Sequence, residues 1–292
     1  MDGLNLSWHW SPLALAALAI LCLLYLFGLW FAHRRVEQAR LSPWRVLSFA
    51  ASLLVMAFVL LSPLDVIGRT QLFSAHMVQL VLLTTLCVPL LLFAMPPSLL
   101  QPLLGLPLIR DVARFLTRPL LASSIFNLVF LLWHAPRLFN LAQGDPTIYH
   151  IQLLSITFAA VLNWFPLIGP LPELRPLSYP LQMLYAFLDG QPVDIFAFLL
   201  VFVGRAFYPN YAVPLQTGLN SLSDQMAGGA MLLIPGLVDL LVMSPLFFRW
   251  LRVMEERARL NDERLAALAL EEEDDEEGEE HSQDIRTAEA GG

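Results

Sequence analysis

Three histidines stand in otherwise apolar stretches of this chain: His76, His134 and His150. Polar residues accompany them at the ends of other apolar stretches. Asp65 closes the run Ser62-Pro63-Leu64-Asp65, and Asp224 is followed by Gln225. Imidazole suits copper and zinc, and a thioether suits Cu(I). Met77 and Met226 adjoin His76 and Gln225, so soft donors are at hand. His76, His134, His150 and Met77 are therefore candidate metal ligands. Asp224, Gln225 and Asp65 are candidates to accept the second ring N–H of a ligating imidazole. A bis-histidine haem is the competing use of the same rings. For any one of these histidines alone, a bond to a loop carbonyl or to water is the better account. His9, between Trp8 and Trp10, reads as an aromatic interfacial anchor and at most an accessory ligand.

A second group is acidic. Asp189 and Asp194 flank Gly190, Gln191 and Pro192 inside an apolar run, and Asp239 lies in another. An ionisable side chain at membrane depth is a functional hypothesis in itself. These carboxylates suit a proton relay or a cation step; a helix break exposed to water in a cavity is the structural alternative. Cys22 and Cys87 form no close pair and read as packing residues.

The elements that must position these groups are membrane spans. Of 292 residues, 57% are hydrophobic and 14% charged, with a mean hydropathy of +0.62. A soluble domain is about 45–50% apolar and about 25% charged. The composition thus excludes a soluble enzyme, a secreted disulfide scaffold and a disordered protein. Seven apolar runs have the length of a span, at about 12–32, 46–63, 72–95, 119–136, 148–168, 179–204 and 224–247. The chain is read as an all-α bundle of about seven transmembrane helices. Pro136 is expected to end the fourth span, and the Gly190–Pro192 segment to break the sixth.

All 17 cationic side chains are Arg, and 14 of them fall on one side of these spans, including Arg34, Arg35, Arg40, Arg45, Arg110, Arg114 and Arg118. The positive-inside rule puts the N-terminus outside and the C-terminus in the cytoplasm. His76, His134, His150, Asp65, Asp224 and Gln225 then share one depth near the outer face. That coincidence strengthens the reading of a site. The net charge of −8 belongs to the tail, because 15 of the 25 acids lie in residues 255–292. The chain divides into a transmembrane domain over 1–248, a cytoplasmic helical extension over 249–270, and an acidic tail over 271–292. With nine acids in residues 271–280, this tail is expected to be disordered. No nucleophile elbow, zinc-protease motif, P-loop or dinucleotide fingerprint occurs. No enzymatic activity and no nucleic-acid partner are expected.

The order of these short motifs resembles a known family. Ser62-Pro63-Leu64-Asp65, then Leu72-Phe73-Ser74-Ala75-His76-Met77-Val78-Gln79, Pro89 and Pro96 come first. Trp133-His134-Ala135-Pro136, Tyr149-His150, Tyr208-Pro209-Asn210-Tyr211 and Asp224-Gln225 with Gly228-Gly229 follow. Together, over residues 50–245, they resemble the polytopic CtaG family of cytochrome c oxidase assembly factors. The resemblance implies a seven-helix protein of the bacterial plasma membrane, in contact with the lipid bilayer and with haem-copper oxidase subunits. It also implies copper supply or insertion on the periplasmic side, with His76, His134 and His150 as site residues beside Asp224 and Gln225. The chain departs from the family pattern at Leu80 and Leu154, where a second histidine is expected four residues after the first. Two other functions compete with copper handling. One is a proton-coupled transporter of a cation or small solute working through Asp189 and Asp194. The other is a haem-binding membrane protein.

Overall fold

Proline punctuates this chain. Pro12, Pro43, Pro63, Pro97, Pro107, Pro119, Pro136 and Pro146 each open a helix. At a first helical position the missing N–H would have had no partner, and the fixed φ is already helical. The computed structural model describes residues 3–8, 10–35, 42–175 and 177–290. His9 and Arg40 lie outside them. Among the described residues there are helices and turns but no strand. The chain is an all-α polytopic membrane protein.

In chain order the helices are α1 (Pro12–Arg35), α2 (Pro43–Leu61), α3 (Pro63–Thr70) and α4 (Phe73–Ala94). They continue as α5 (Pro97–Leu104), α6 (Pro107–Leu116), α7 (Pro119–Trp133), α8 (Pro136–Gly144) and α9 (Pro146–Ile168). The last are α10 (Tyr179–Phe202), α11 (Ser221–Leu232) and α12 (Ile234–Ala290). Six helical stretches are long and apolar enough to span a bilayer; the bent pair α6–α7, at 70°, makes a seventh. The spans at α4 and α9 are 56% and 61% buried, whereas that at α1 is 11% buried, so α4 and α9 form the centre and α1 the periphery.

Two spans differ from their expected form. The fourth ends at Trp133 rather than 136, because Pro136 opens α8 instead. The sixth is unbroken from Tyr179 to Phe202, with Pro192 inside it. Proline is tolerated there because it removes a single backbone donor from an otherwise complete helix.

In α4, residues Leu82–Cys87 form a π-helical turn ahead of Pro89. The carbonyl of Thr84 then has no N–H from Pro89 to accept. It receives instead the indole N–H of Trp164 on α9, at 2.8 Å.

The chain separates into two compact units, residues 1–243 and 244–292. The second unit is the continuation of α12. Helix runs through the acidic stretch and ends at Ala290, where the composition alone points to disorder. Glu, Leu and Ala are strong helix formers, and Arg259 pairs with Glu263 one turn on.

Within the first unit α11 fits tightly between α4 and α10. A Cβ at Gly228 would meet the Phe73 ring at 2.5 Å, and one at Gly229 the Ala197 carbonyl oxygen at 2.9 Å. Gly228→Val should therefore lower stability by about 1–3 kcal/mol, read as a lower thermal unfolding midpoint in detergent. Gly144→Ala, where nothing lies within 4 Å of the added carbon, is expected to leave the midpoint unchanged.

Candidate functional site

The site begins at the first turn of α4. Leu72 precedes that turn and offers no capping oxygen. The cap comes from α11. The Asp224 carboxylate accepts the backbone N–H groups of Phe73 (2.7 Å) and Ser74 (3.2 Å), and the Ser74 hydroxyl (2.5 Å). An anion at a helix N-terminus satisfies orphan donors and meets the positive end of the dipole. Asp224 thus fixes the turn that carries His76. Gln225 serves the backbone on the other side of α11. Its Oε1 accepts the Phe207 N–H at 2.6 Å, and its Nε2 donates to the carbonyls of Leu200 and Arg205. The hydrogen bonds of both residues go to these groups and not to an imidazole.

His76 is fully buried, and its protonation pattern follows from its neighbours. Gln79 Nε2 donates to the Val59 carbonyl at 3.1 Å, so its Oε1 is the atom that faces Tyr149. The Tyr149 hydroxyl donates its one proton to that Oε1 at 2.5 Å. The phenolic oxygen, 2.8 Å from His76 Nδ1, can then only accept. His76 therefore carries its proton on Nδ1 and presents a bare lone pair on Nε2. Gly68 leaves room for this contact, since a Cβ there would meet the Tyr149 hydroxyl at 3.0 Å.

His134 reaches the same state by a different route. It follows the last turn of α7, where its Nδ1 donates to the Phe130 carbonyl at 2.7 Å. A carbonyl cannot donate, so Nε2 is again the unprotonated nitrogen. The Tyr208 hydroxyl holds the His134 carbonyl at 2.6 Å. Burial raises the pKa values of Tyr208 and Tyr211, so both remain donors.

The His76 and His134 rings are 5.7 Å apart between centroids. The Nε2 atoms of both are buried without any hydrogen-bond partner. Aromatic rings wall the pair. Phe139 of α8 lies 5.4 Å from His76 and 5.8 Å from His134, Phe130 stacks on His134 at 4.3 Å, and Phe196 lies 5.4 Å from it. Two lone pairs are thus buried among aromatic rings.

His150 is not part of this pair. Its Nε2 faces Asp65 Oδ1 at 3.1 Å, and both side chains are buried. Asp65 is the partner of an imidazole, as the sequence suggests, but the pair joins α3 to α9. Met77 is fully buried and packs toward Gly228 of α11, while His76 faces α9. Among the described residues no group of three His, Cys, Asp or Glu side chains could hold a metal ion. The predicted three-histidine cluster reduces to two rings because Tyr149 and His150, adjacent on α9, face different neighbours.

Asp189 lies deeper in the bundle. Its carboxylate accepts from Asn163 and from Asn127 Nδ2, and the Tyr185 hydroxyl orients Asn163 by donating to its Oδ1 at 2.7 Å. Asp189, Asp194 and Asp239 line one cavity of about 60 Å³ together with Thr84, Leu80 and Phe130. That volume admits a few waters at most. Leu80, where the family resemblance leads one to expect histidine, stands one turn after His76 on α4 and lines this cavity.

A family model described as cytochrome c oxidase caa3 assembly factor (Caa3_CtaG) matches residues 23–253. The chain belongs to this family. No curated protein and no solved structure matches it. In this Caa3_CtaG member the motif residues divide by task. His76 and His134 present free nitrogens, Asp224 and Gln225 hold backbone, and Asp65 pairs with His150. Tyr149, Gln79 and Phe139 complete the site; the first two stand in the family motifs without an assigned role, and Phe139 stands in none. Gln79 closes the motif that holds His76 and shares its helix face at a spacing of three.

Tyr149→Phe removes the acceptor of a buried ring N–H and the donor to Gln79. It should cost about 1–3 kcal/mol, measured as a lower thermal midpoint in detergent. An unchanged midpoint would mean that this chain of hydrogen bonds does not hold His76.

Proposed function

We propose that this assembly factor carries Cu(I) on the His76–His134 pair and delivers it to a haem-copper oxidase. The observation that supports the reading is the pair of buried, unpartnered Nε2 lone pairs on rings held in the required tautomer. Each ring donates its other nitrogen to a fixed oxygen, the arrangement that orients metal-binding imidazoles. Two nitrogens and no carboxylate suit a monovalent d10 ion that accepts two ligands. Structural zinc takes four. Rings packed directly on the imidazoles suit a single ion better than a macrocycle, which disfavours the haem reading. Copper is cargo in this account, and the chain has no enzymatic role.

The Arg distribution supports an N-terminus outside, which puts the pair toward the periplasmic face of the bacterial plasma membrane. Oxidase subunits that receive copper there are the implied partners. Release requires an entry path, and Phe139 of the short helix α8 is the residue that covers both rings.

The test is anaerobic loading of purified protein with Cu(I), followed by metal analysis. Wild type is expected to retain about one copper per chain, and His76→Ala or His134→Ala none. His150→Ala is expected to retain it, because that ring is committed to Asp65. Tyr149→Phe should weaken affinity about 10–100-fold. In cells, the two histidine variants should insert normally and leave the oxidase short of copper. Copper-loaded oxidase in both variants would refute the proposal.

A further inference from the structure

A second void lies at the opposite end of α4, about 22 Å along the helix from His76. It is a groove of about 530 Å³ between α1, α2, the end of α4 and α5. Its walls include Leu24, Gly28, Phe49, Leu91, Leu99 and Leu100. The polar group on that wall, the Tyr25 hydroxyl, is committed to the Ala94 carbonyl at 3.3 Å, and the Tyr25 ring stacks on Phe49 at 3.8 Å. The described residues of the groove wall therefore offer mainly hydrocarbon contact. A packed bundle does not leave such a space empty in a bilayer, because its lining would forfeit dispersion contacts.

We propose that this groove is a binding site for an anionic phospholipid, one acyl chain lying in the groove and the phosphate on Arg45. Size separates a chain from a helix. One helical turn, about 10 Å across and 5.4 Å long, already fills on the order of 400–500 Å³, so a polypeptide span would not enter. A chain of roughly 18 methylene-sized units, each near the volume of a water at about 30 Å³, fills the space.

The charge at its end agrees. Arg45 stands one turn before Phe49 on α2, and its Nη1 donates to the carbonyls of Met95 (2.6 Å) and Phe93 (3.5 Å), the first of these on the groove wall. Those bonds pin the guanidinium beside the groove. Arg45 makes no ion pair among the described residues, and the guanidinium has five donors in all. Basic pockets between spans recognise lipid headgroups in this way. The adjacent Trp44 is 74% exposed, as an interfacial anchor is.

The test is native mass spectrometry of the full chain after delipidation, with palmitoyl-oleoyl phosphatidylglycerol or phosphatidylcholine added back. Wild type is expected to retain one phosphatidylglycerol with about five-fold preference over phosphatidylcholine. Arg45→Gln should lose the preference while still retaining a lipid, and Arg45→Lys should keep it. Leu24→Trp with Leu100→Trp, which fills the groove and leaves Arg45 in place, should abolish retention while circular dichroism stays helical. Lipid retention unchanged by the filled groove would overturn the proposal. So would a photo-crosslinker at residue 24 that captures a second copy of the chain or another polypeptide instead of lipid.

Discussion

The site depends on a buried chain of hydrogen bonds that runs in one direction. It starts at the Val59 carbonyl, which can only accept, and passes through Gln79 and Tyr149 to His76. Each link fixes the next, and the last consequence is a lone pair on His76 Nε2. The Phe130 carbonyl imposes the same outcome on His134 in one step. Orphaned buried polar atoms are expensive, and here two occur on neighbouring rings. The proposed copper reading rests on those two unsatisfied nitrogens.

Much of the remaining architecture holds those two rings still. Asp224 reaches across from α11 to cap α4, and the close approach that lets it do so rests on Gly228 and Gly229. Tyr208 holds the end of α7. Phe73, Phe139 and Tyr208 stack and tilt against one another at 4.3–5.7 Å, closing the site with side chains from three separate segments. Trp164 replaces the backbone donor that Pro89 removes, so the π-helical turn in α4 carries no exposed carbonyl at Thr84. Leu80, one turn after His76, and Phe130, stacked on His134, also line the cavity that holds the carboxylates.

The spans and the shared depth of the histidines were legible in the sequence, because span length and apolar composition report directly on the bilayer. The rotation of each helix about its own axis was not. Depth placed His150 with His76 and His134, yet His150 turns to Asp65 while its neighbour Tyr149 turns to His76. The roles of Asp224 and Gln225 were hidden for a similar reason, since their partners are backbone groups 18 to 151 residues away. Pro192 and Gly190 suggested a broken sixth span, but the helix runs through both, because proline removes a single backbone donor. The family motifs contain residues that the packing brings together, and only the packing shows which groups each one touches.

X-ray absorption at the copper edge of the Cu(I)-loaded protein tests the central claim most directly, because it reads the ligands themselves. The account predicts a two-coordinate site with two imidazole nitrogens and no sulfur, lost together when His76 and His134 are replaced. A sulfur scatterer, which would bring Met77 or a cysteine into the site, would contradict it. A spectrum that survives loss of both histidines would contradict it as well.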